Sequence, residues 1–172
     1  PTSTPTATSS ATAPPCPTDP PLLASDLLVL ARGSEARTGR TVSGVSEPVR
    51  YRSSAEDSGR WVGFLFQGGD VVISTRSKHG TTWLQMICAL LVFRTPDLPA
   101  PLAELSPWLD WLGAPRDEVV ARLEAQEHRR FVKTHTPLDG LPLDPRVTYI
   151  VVGRHPMDAA VSLYHQGANL DR

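Results

Sequence analysis

The sequence predicts an α/β fold in which helices flank a parallel β-sheet. Three short apolar segments, at residues 71–75, 131–135 and 147–152, are rich in β-branched or aromatic side chains, which is typical of buried strands. Residues with helical spacing of apolar positions follow the first segment, at 81–93 and 115–127, and the third segment, after Pro156. Strands that alternate with helices and read as apolar runs indicate a parallel sheet covered on both faces. Ligands bind such sheets at the carboxyl ends of the strands, so the polar residues there are the candidates for a site.

Bulk properties narrow the classes of function. The chain has 172 residues, enough for one domain, and its formal charge of -1 gives no net field that would attract nucleic acid. Cys16 and Cys88 cannot form a disulfide framework, which favours a reduced protein. No apolar run approaches the ~18 residues of a membrane span, and no signal-peptide pattern follows Pro1. We therefore expect a cytoplasmic protein without a transmembrane segment, a nucleic-acid partner or a metal.

The first fifty residues are predicted to be a leader rather than part of the domain. Residues 1–21 are almost only Pro, Thr, Ser and Ala, with Asp19 as their sole charge. Such a segment has too little apolar surface to offset the entropy lost on ordering, although a mucin-like stalk is an alternative. Residues 25–31 are compatible with one or two helical turns. We expect residues 1–50 to be disordered or weakly ordered and the folded domain to occupy residues 51–172.

A polar loop joins the first predicted strand to a helix that starts at Thr81 and ends near Arg94. The first amides of a helix have no internal partner, and with the helix dipole they form a site for phosphate or sulfate. Gly80 lets the backbone turn closely around such a ligand, Lys78 adds a cation, and Thr81 and Thr82 add hydroxyl donors. The loop is not a Walker A motif, because its lysine precedes the glycine. An ordinary turn with a surface lysine is the simpler alternative.

Two segments between the first and second strands are less regular. Residues 95–107 contain four prolines and are predicted to form an irregular loop. Trp108 and Trp111 follow, and they either anchor this loop on the core or form one wall of an acceptor pocket. Residues 115–127 are predicted to form an amphipathic helix.

The second strand ends in a polar tip that contains Lys133 and His135. The alternation of side chains along a strand places both on the same side. An unperturbed histidine has a pKa of about 6.5, which suits a general base near neutral pH. A purely structural histidine is the alternative.

The third strand is followed by Arg154, and Ser162 lies about two turns along the next predicted helix. Pro156 suits the first helical position and Asp158 suits the first turn. The fork of an arginine fits the paired oxygens of a phosphate, and a serine hydroxyl adds a further donor. A surface arginine and an ordinary helix serine are the alternative.

These three tips together resemble the PAPS-dependent sulfotransferases of the cytosolic and bacterial type. PAPS is 3′-phosphoadenosine 5′-phosphosulfate, the sulfuryl donor of that family. Residues 78–83 resemble the family's 5′-phosphosulfate loop, residues 133–135 its Lys-Thr-His segment, and residues 154–164 its 3′-phosphate motif. The resemblance covers about residues 58–166.

The chain departs from the family pattern at several positions. Arg76, Ser77 and His79 stand where the family usually has Tyr, Pro and Ser. The backbone amide of His79 can still donate to a phosphate. His155 and Met157 replace Asn and Lys, which removes one basic side chain near the nucleotide.

The resemblance implies a P-loop-containing nucleotide-binding fold and in-line transfer of a sulfuryl group from PAPS to an acceptor hydroxyl or amine, without a metal. It makes His135 the general base. Lys78 would stabilise charge on the bridging oxygen, and Lys133 would steady the sulfuryl oxygens. The residues that it assigns to nucleotide binding are Lys78, His79, Gly80, Thr81, Thr82 and Trp83 for the 5′ end, and Arg154 and Ser162 for the 3′-phosphate.

The resemblance also implies an incomplete domain, because members of the family continue well past the equivalent of Arg172. Residues 51–172 would be the N-terminal part of a sulfotransferase domain, with one edge of its sheet open. An inactive remnant that binds a nucleotide or a partner chain is an alternative, and a P-loop kinase is a weaker one. The acceptor would be a small molecule or lipid with a hydroxyl; its identity and the oligomeric state stay open.

Overall fold

The computed structural model of the chain describes residues 27–32 and 47–170. Its strands and helices alternate along most of the sequence. In chain order they are β1 (Leu27–Arg32), β2 (Val71–Thr75), α1 (Thr81–Phe93), α2 (Leu102–Leu105), α3 (Arg116–Glu124), β3 (Phe131–Thr134), β4 (Thr148–Gly153) and α4 (Pro156–Leu170), with 3-10 turns at Ser58–Trp61 and Leu138–Gly140.

The four strands form one sheet in the order β1-β4-β2-β3. The central strand β2 is parallel to both of its neighbours, and Val71 is in register with Phe131 of β3 and with Thr148 of β4. The prediction of parallel strands at these three places is therefore confirmed. Because the three strands run in one direction, their carboxyl ends lie at the same end of the sheet.

Residues 27–32 do not form the helical turns with which residues 25–31 are compatible in sequence. Leu27–Arg32 is a strand that runs antiparallel to β4, with six residue pairs between them. A helix of one or two turns is marginal in water, whereas the free edge of β4 offers hydrogen-bond partners for an apolar segment. This strand also occupies the edge next to β4. The rest of the predicted leader up to residue 46 lies outside the described residues.

Helices and loops cover both faces of β2 and β3, because successive residues of a strand point to opposite faces. On one face, Val72 and Val132 pack with Trp61 and with Val119 and Leu123 of α3. On the other face, the core is built by β2, β3, α1 and α2. Its buried members are Val71, Ile73, Cys88, Ala89, Leu105 and Phe131.

A buried ion pair fastens the amino ends of β2 and β3, at the far end of the sheet from the predicted site. Asp70 precedes β2 and Arg130 precedes β3, and each is 2% exposed. The Arg130 Nε donates to Asp70 Oδ1 over 2.9 Å, and a second bond joins Nη2 to Oδ2. Arg130 also donates to the Leu65 carbonyl at 3.1 Å.

Four smaller points differ from or add to the predictions. The irregular loop predicted for residues 95–107 contains the short helix α2, and the helix predicted for residues 115–127 is shorter at both ends. Cys88 is a buried free thiol. No helix among the described residues is both long enough and apolar enough to span a bilayer.

Candidate active site

Hydrogen bonds join the loops that follow β2, β3 and β4. The Arg154 Nη1 donates to the backbone carbonyl of Lys78 at 3.2 Å. The Arg76 Nη1 donates to the backbone carbonyl of His135 at 3.0 Å. The structure therefore brings together Lys78, His135 and Arg154, three predicted site residues that are far apart in sequence.

The loop after β2 is a tight turn with two residues in the left-handed region. Lys78 has a φ of 68° and Gly80 a φ of 88°. The His79 amide donates to the Arg76 carbonyl at 3.1 Å, so that amide is already engaged within the turn. A Cβ added to Gly80 would meet nothing within 4 Å, so the space in front of this backbone is open. Turns of this kind form concave surfaces that accept anions.

Helix α1 begins directly after this turn. Its first ladder bond runs from the Leu84 amide to the Gly80 carbonyl at 3.1 Å, so the amides before Leu84 have no partner within the helix. The Thr81 hydroxyl lies 2.5 Å from the Thr75 hydroxyl and ties the helix to β2. Thr82 and Trp83 are exposed. The amides and the Thr82 hydroxyl are therefore the donors that α1 offers to an anion.

His135 follows β3 and is 9% exposed. Its Nδ1 lies 2.6 Å from the Thr75 carbonyl oxygen. A carbonyl only accepts, so Nδ1 carries the proton and Nε2 keeps its lone pair. Burial lowers the pKa of His135, and the nearby charge of Lys133 lowers the pKa further, while the bond to Thr75 opposes both. The lowered pKa favours the neutral imidazole, whose Nε2 has a free lone pair.

Lys133 and His135 both contact Trp108, as expected for residues on the same side of a strand. The Lys133 Nζ lies 4.3 Å from the Trp108 ring centroid, which is a cation–π contact. The Trp108 ring meets the imidazole edge-on, with centroids 4.7 Å apart. Burial lowers the pKa of Lys133, although the carboxylates of Glu56 and Asp110 oppose that shift.

Trp108 also stacks on Trp111, with centroids 6.1 Å apart and ring planes 15° apart. Trp111 is 41% exposed. Leu109 between the indoles is fully buried, which agrees with a loop anchored on the core. The acceptor-pocket alternative for the indoles stays a prediction.

Two residues beside His135 were not among the predicted site residues: Arg76, noted above only as a departure from the family pattern, and Asp110. Arg76 donates a hydrogen bond to the backbone carbonyl of His135. Asp110 is buried and accepts hydrogen bonds from Thr134 and Thr136, the two neighbours of His135 in sequence. A charged residue between Leu109 and Trp111, inside an apolar stretch, was the signal that could have identified Asp110.

The remaining predicted residue, Ser162, lies two turns along α4 and is half-buried. It makes no hydrogen bond to another described residue, whereas Arg154 at the start of that helix does. Within residues 27–32 and 47–170, no group of three His, Cys, Asp or Glu side chains is arranged to hold a metal ion.

Comparisons with known proteins agree on one family. The family model described as "Sulfotransferase domain" matches residues 68–172. Proteins named "Glycolipid sulfotransferase" from Mycobacterium tuberculosis and Mycobacterium bovis are 56% identical over 127 residues, which is 74% of this chain and 39% of each relative. "Sulfotransferase 1A1" of Bos taurus is 37% identical over 103 residues, which is 56% of this chain and 35% of that relative. The chain thus spans about two fifths of the length of the mycobacterial relatives.

Proposed function

The chain belongs to the sulfotransferase domain family, and on that basis we propose that it moves a sulfuryl group from PAPS to an acceptor hydroxyl. The observation that supports this most is the bond between Arg154 and the Lys78 carbonyl. It places the guanidinium of Arg154 next to the loop that precedes α1, where the free amides of the helix could bind an anion. Arg76 in that loop is also hydrogen-bonded to the His135 carbonyl. Two anion sites and a base at one end of the sheet suit a donor with two anionic ends.

The residues present fit PAPS at both ends. The open turn at Gly80, the first amides of α1 and the Lys78 side chain would hold the 5′-phosphosulfate. Arg154, with Ser162 further along α4, would hold the 3′-phosphate. PAPS, when bound, supplies the activated sulfuryl group. We propose that Lys78 stabilises the negative charge that develops on the departing phosphate oxygen. Losing such a donor typically lowers the rate ~10²–10³-fold.

His135 is proposed as the general base. Its Nε2 takes the proton from the acceptor hydroxyl while the hydroxyl oxygen bonds to sulfur and the bond from sulfur to the phosphate oxygen breaks. The bond from Nδ1 to Thr75 leaves Nε2 as the accepting atom. Lys133, held over Trp108, would steady the sulfuryl oxygens.

We infer that the acceptor is a sugar hydroxyl of a glycolipid. The mycobacterial relatives carry that substrate class in their names. Trp108 contacts His135 and stacks on Trp111, whose indole is 41% exposed and offers an aromatic surface near the proposed base. Large, rigid aromatic surfaces of this kind suit ring-shaped ligands with polar rims. Assays with matched glycolipid, phenol and steroid acceptors would test this, and turnover confined to a phenol or steroid would contradict it.

Nucleotide binding tests the proposal most directly. Isothermal titration should show adenosine 3′,5′-bisphosphate binding at least tenfold more tightly than AMP, because only the former engages Arg154. Equal affinities would contradict the proposal. A protein that binds the nucleotide without transferring sulfate is the second candidate. Tight nucleotide binding without sulfate transfer, in an assay where a full-length relative is active, would favour that candidate. Magnesium-dependent ATP turnover would instead indicate a kinase.

A further inference from the structure

The loop between α2 and α3 carries a buried carboxylate beside the two residues that flank His135. Asp110 is 0% exposed. Its Oδ2 accepts hydrogen bonds from the Thr134 hydroxyl at 2.5 Å and from the Thr136 hydroxyl at 2.6 Å. The Trp61 indole N–H donates to the same oxygen over 3.2 Å. One carboxylate oxygen therefore holds both neighbours of His135.

A carboxylate is an unfavourable choice for a position that only needs to be filled. A buried charge is costly unless it is paired or fully hydrogen-bonded. Within the described part of the chain, no cation lies within ion-pair distance of Asp110. Its second oxygen, Oδ1, is buried and has no hydrogen-bond partner among those residues. A buried polar atom left without a partner calls for an explanation other than packing.

The hydrogen bonds of the two threonines constrain the backbone of His135 and thereby the position of its imidazole. The Thr136 amide donates to the Thr134 hydroxyl at 2.9 Å, which closes a tight turn around His135. With both ends of that turn held by Asp110, the imidazole is placed so that Nδ1 reaches the Thr75 carbonyl. If the turn were loose, that bond would be free to break, and the proton could move to Nε2.

We propose that Asp110 is a positioning residue that sets the orientation and the tautomer of His135 through the hydroxyls of Thr134 and Thr136. The same loop supplies Trp108, which packs edge-on against the imidazole. The inference rests on the proposed function only in treating His135 as the base; the hydrogen-bond frame itself is testable without turnover.

The charged groups around the imidazole come from several elements. Lys133 of β3 and Arg76 after β2 oppose a second proton on His135, while Asp110 favours it. Glu56 faces Lys133 from the segment before β2. Replacing Asp110 would therefore change charge and geometry together. Threonine variants keep the carboxylate, so a change in the titration of His135 in those variants reports geometry.

NMR of the ¹⁵N-labelled whole chain can test this hydrogen-bond arrangement around His135. Long-range ¹H–¹⁵N correlation distinguishes the two imidazole tautomers, and His135→Gln identifies the His135 signals. The wild type should show the Nδ1–H form alone. Thr136→Val should give signals averaged between the tautomers and a titration midpoint moved toward that of an ordinary histidine. Thr136→Ser, which keeps the hydroxyl, should match the wild type.

Two further variants complete the design. Asp110→Asn should give averaged tautomer signals, because its neutral oxygen is a weaker acceptor for three donors. Tyr149→Phe removes a buried hydroxyl that bonds the Pro142 carbonyl, away from His135, and should leave the His135 signals unchanged. A single Nδ1–H tautomer and a wild-type midpoint in both Thr136→Val and Asp110→Asn would overturn the proposal. If Asp110→Asn fails to fold, the comparison of Thr136→Val with Thr136→Ser decides.

None of these readouts needs PAPS or an acceptor. A wild-type chain that shows the expected tautomer but transfers no sulfate would contradict the proposed function and leave the role of Asp110 as a positioning residue intact. A wild-type chain that transfers sulfate with freely exchanging tautomers would do the reverse.

Discussion

The left-handed turn before α1 makes Gly80→Ala a sharp test of the nucleotide site. Gly80 has a φ of 88°, and an added Cβ would meet nothing within 4 Å. The substitution therefore introduces backbone strain without a steric clash. A non-glycine residue in this region costs about 1–2 kcal/mol. We expect that strain to lower the free energy of unfolding, to weaken nucleotide binding, or to do both in part.

The division depends on whether the loop relaxes. If the turn keeps its conformation, the free energy of unfolding falls by about 1–2 kcal/mol. If the turn relaxes in the free protein, binding has to restore it. The dissociation constant for adenosine 3′,5′-bisphosphate then rises roughly 5–30-fold, since each 1.4 kcal/mol is tenfold. We expect relaxation to dominate, because the loop is at the surface and Gly80 is exposed.

Gly63→Ala is the matched control. Gly63 also has a positive φ, of 72°, and open space around its Cβ position, but it lies in the turn after Trp61. Gly63 is exposed as well, so its turn should relax in the same way and the variant should lose little stability in urea denaturation, while titration calorimetry should give wild-type nucleotide affinity. Wild-type stability together with wild-type affinity in Gly80→Ala would refute the reasoning. Equal losses of affinity in the two variants would mean that this turn is not the anion site.

The remaining predictions concern the base, the arginine fork and the buried ion pair. The rate of transfer should reach its plateau at a lower pH than it would with an ordinary histidine of pKa about 6.5. Burial lowers the pKa of His135, and only the neutral imidazole accepts the proton. A pH–rate profile with its midpoint above about 6.5 would contradict the base assignment. The same shift should lower stability as pH falls below about 6.5, since the unfolded chain takes up that proton first. His135→Ala should abolish transfer and leave nucleotide binding within about twofold of the wild type, an outcome that parallel rate and calorimetry measurements can check. Arg154→Ala should remove most of the preference for a 3′-phosphorylated nucleotide over AMP, whereas Arg122→Ala on α3 should keep it. Asp70→Ala should cost about 3–5 kcal/mol in urea denaturation because it leaves the Arg130 guanidinium buried without its carboxylate; a loss below about 1 kcal/mol would show that the site hydrates or relaxes.

The central part of the fold could be predicted because its signals are local. Each of the three parallel strands is a short β-branched run followed by polar residues, and α1 has apolar positions at helical spacing. These features depend on neighbours in sequence. The strand Leu27–Arg32 was missed because its state is decided by a partner about 120 residues away, the edge of β4.

The candidate site was predictable in part for a similar reason. Lys78, His135 and Arg154 follow strand ends, and parallel strands bring such ends together whatever the intervening sequence. The contacts among them were not predictable, since they depend on side-chain reach. The bond from the Arg76 fork to the His135 carbonyl is one example. The tautomer of His135 is another, because it is set by the carbonyl of Thr75, which any residue would supply.

The antiparallel pairing of Leu27–Arg32 with β4 bears on how the protein should be prepared. A natural choice for expression would be to trim the proline-rich N-terminal region and begin at residue 47. That version would lose all six residue pairs that β1 makes with β4 and leave a row of unsatisfied backbone donors and acceptors. We expect it to self-associate in light-scattering measurements, whereas a version that begins before Leu27 should keep the pairing and stay dispersed.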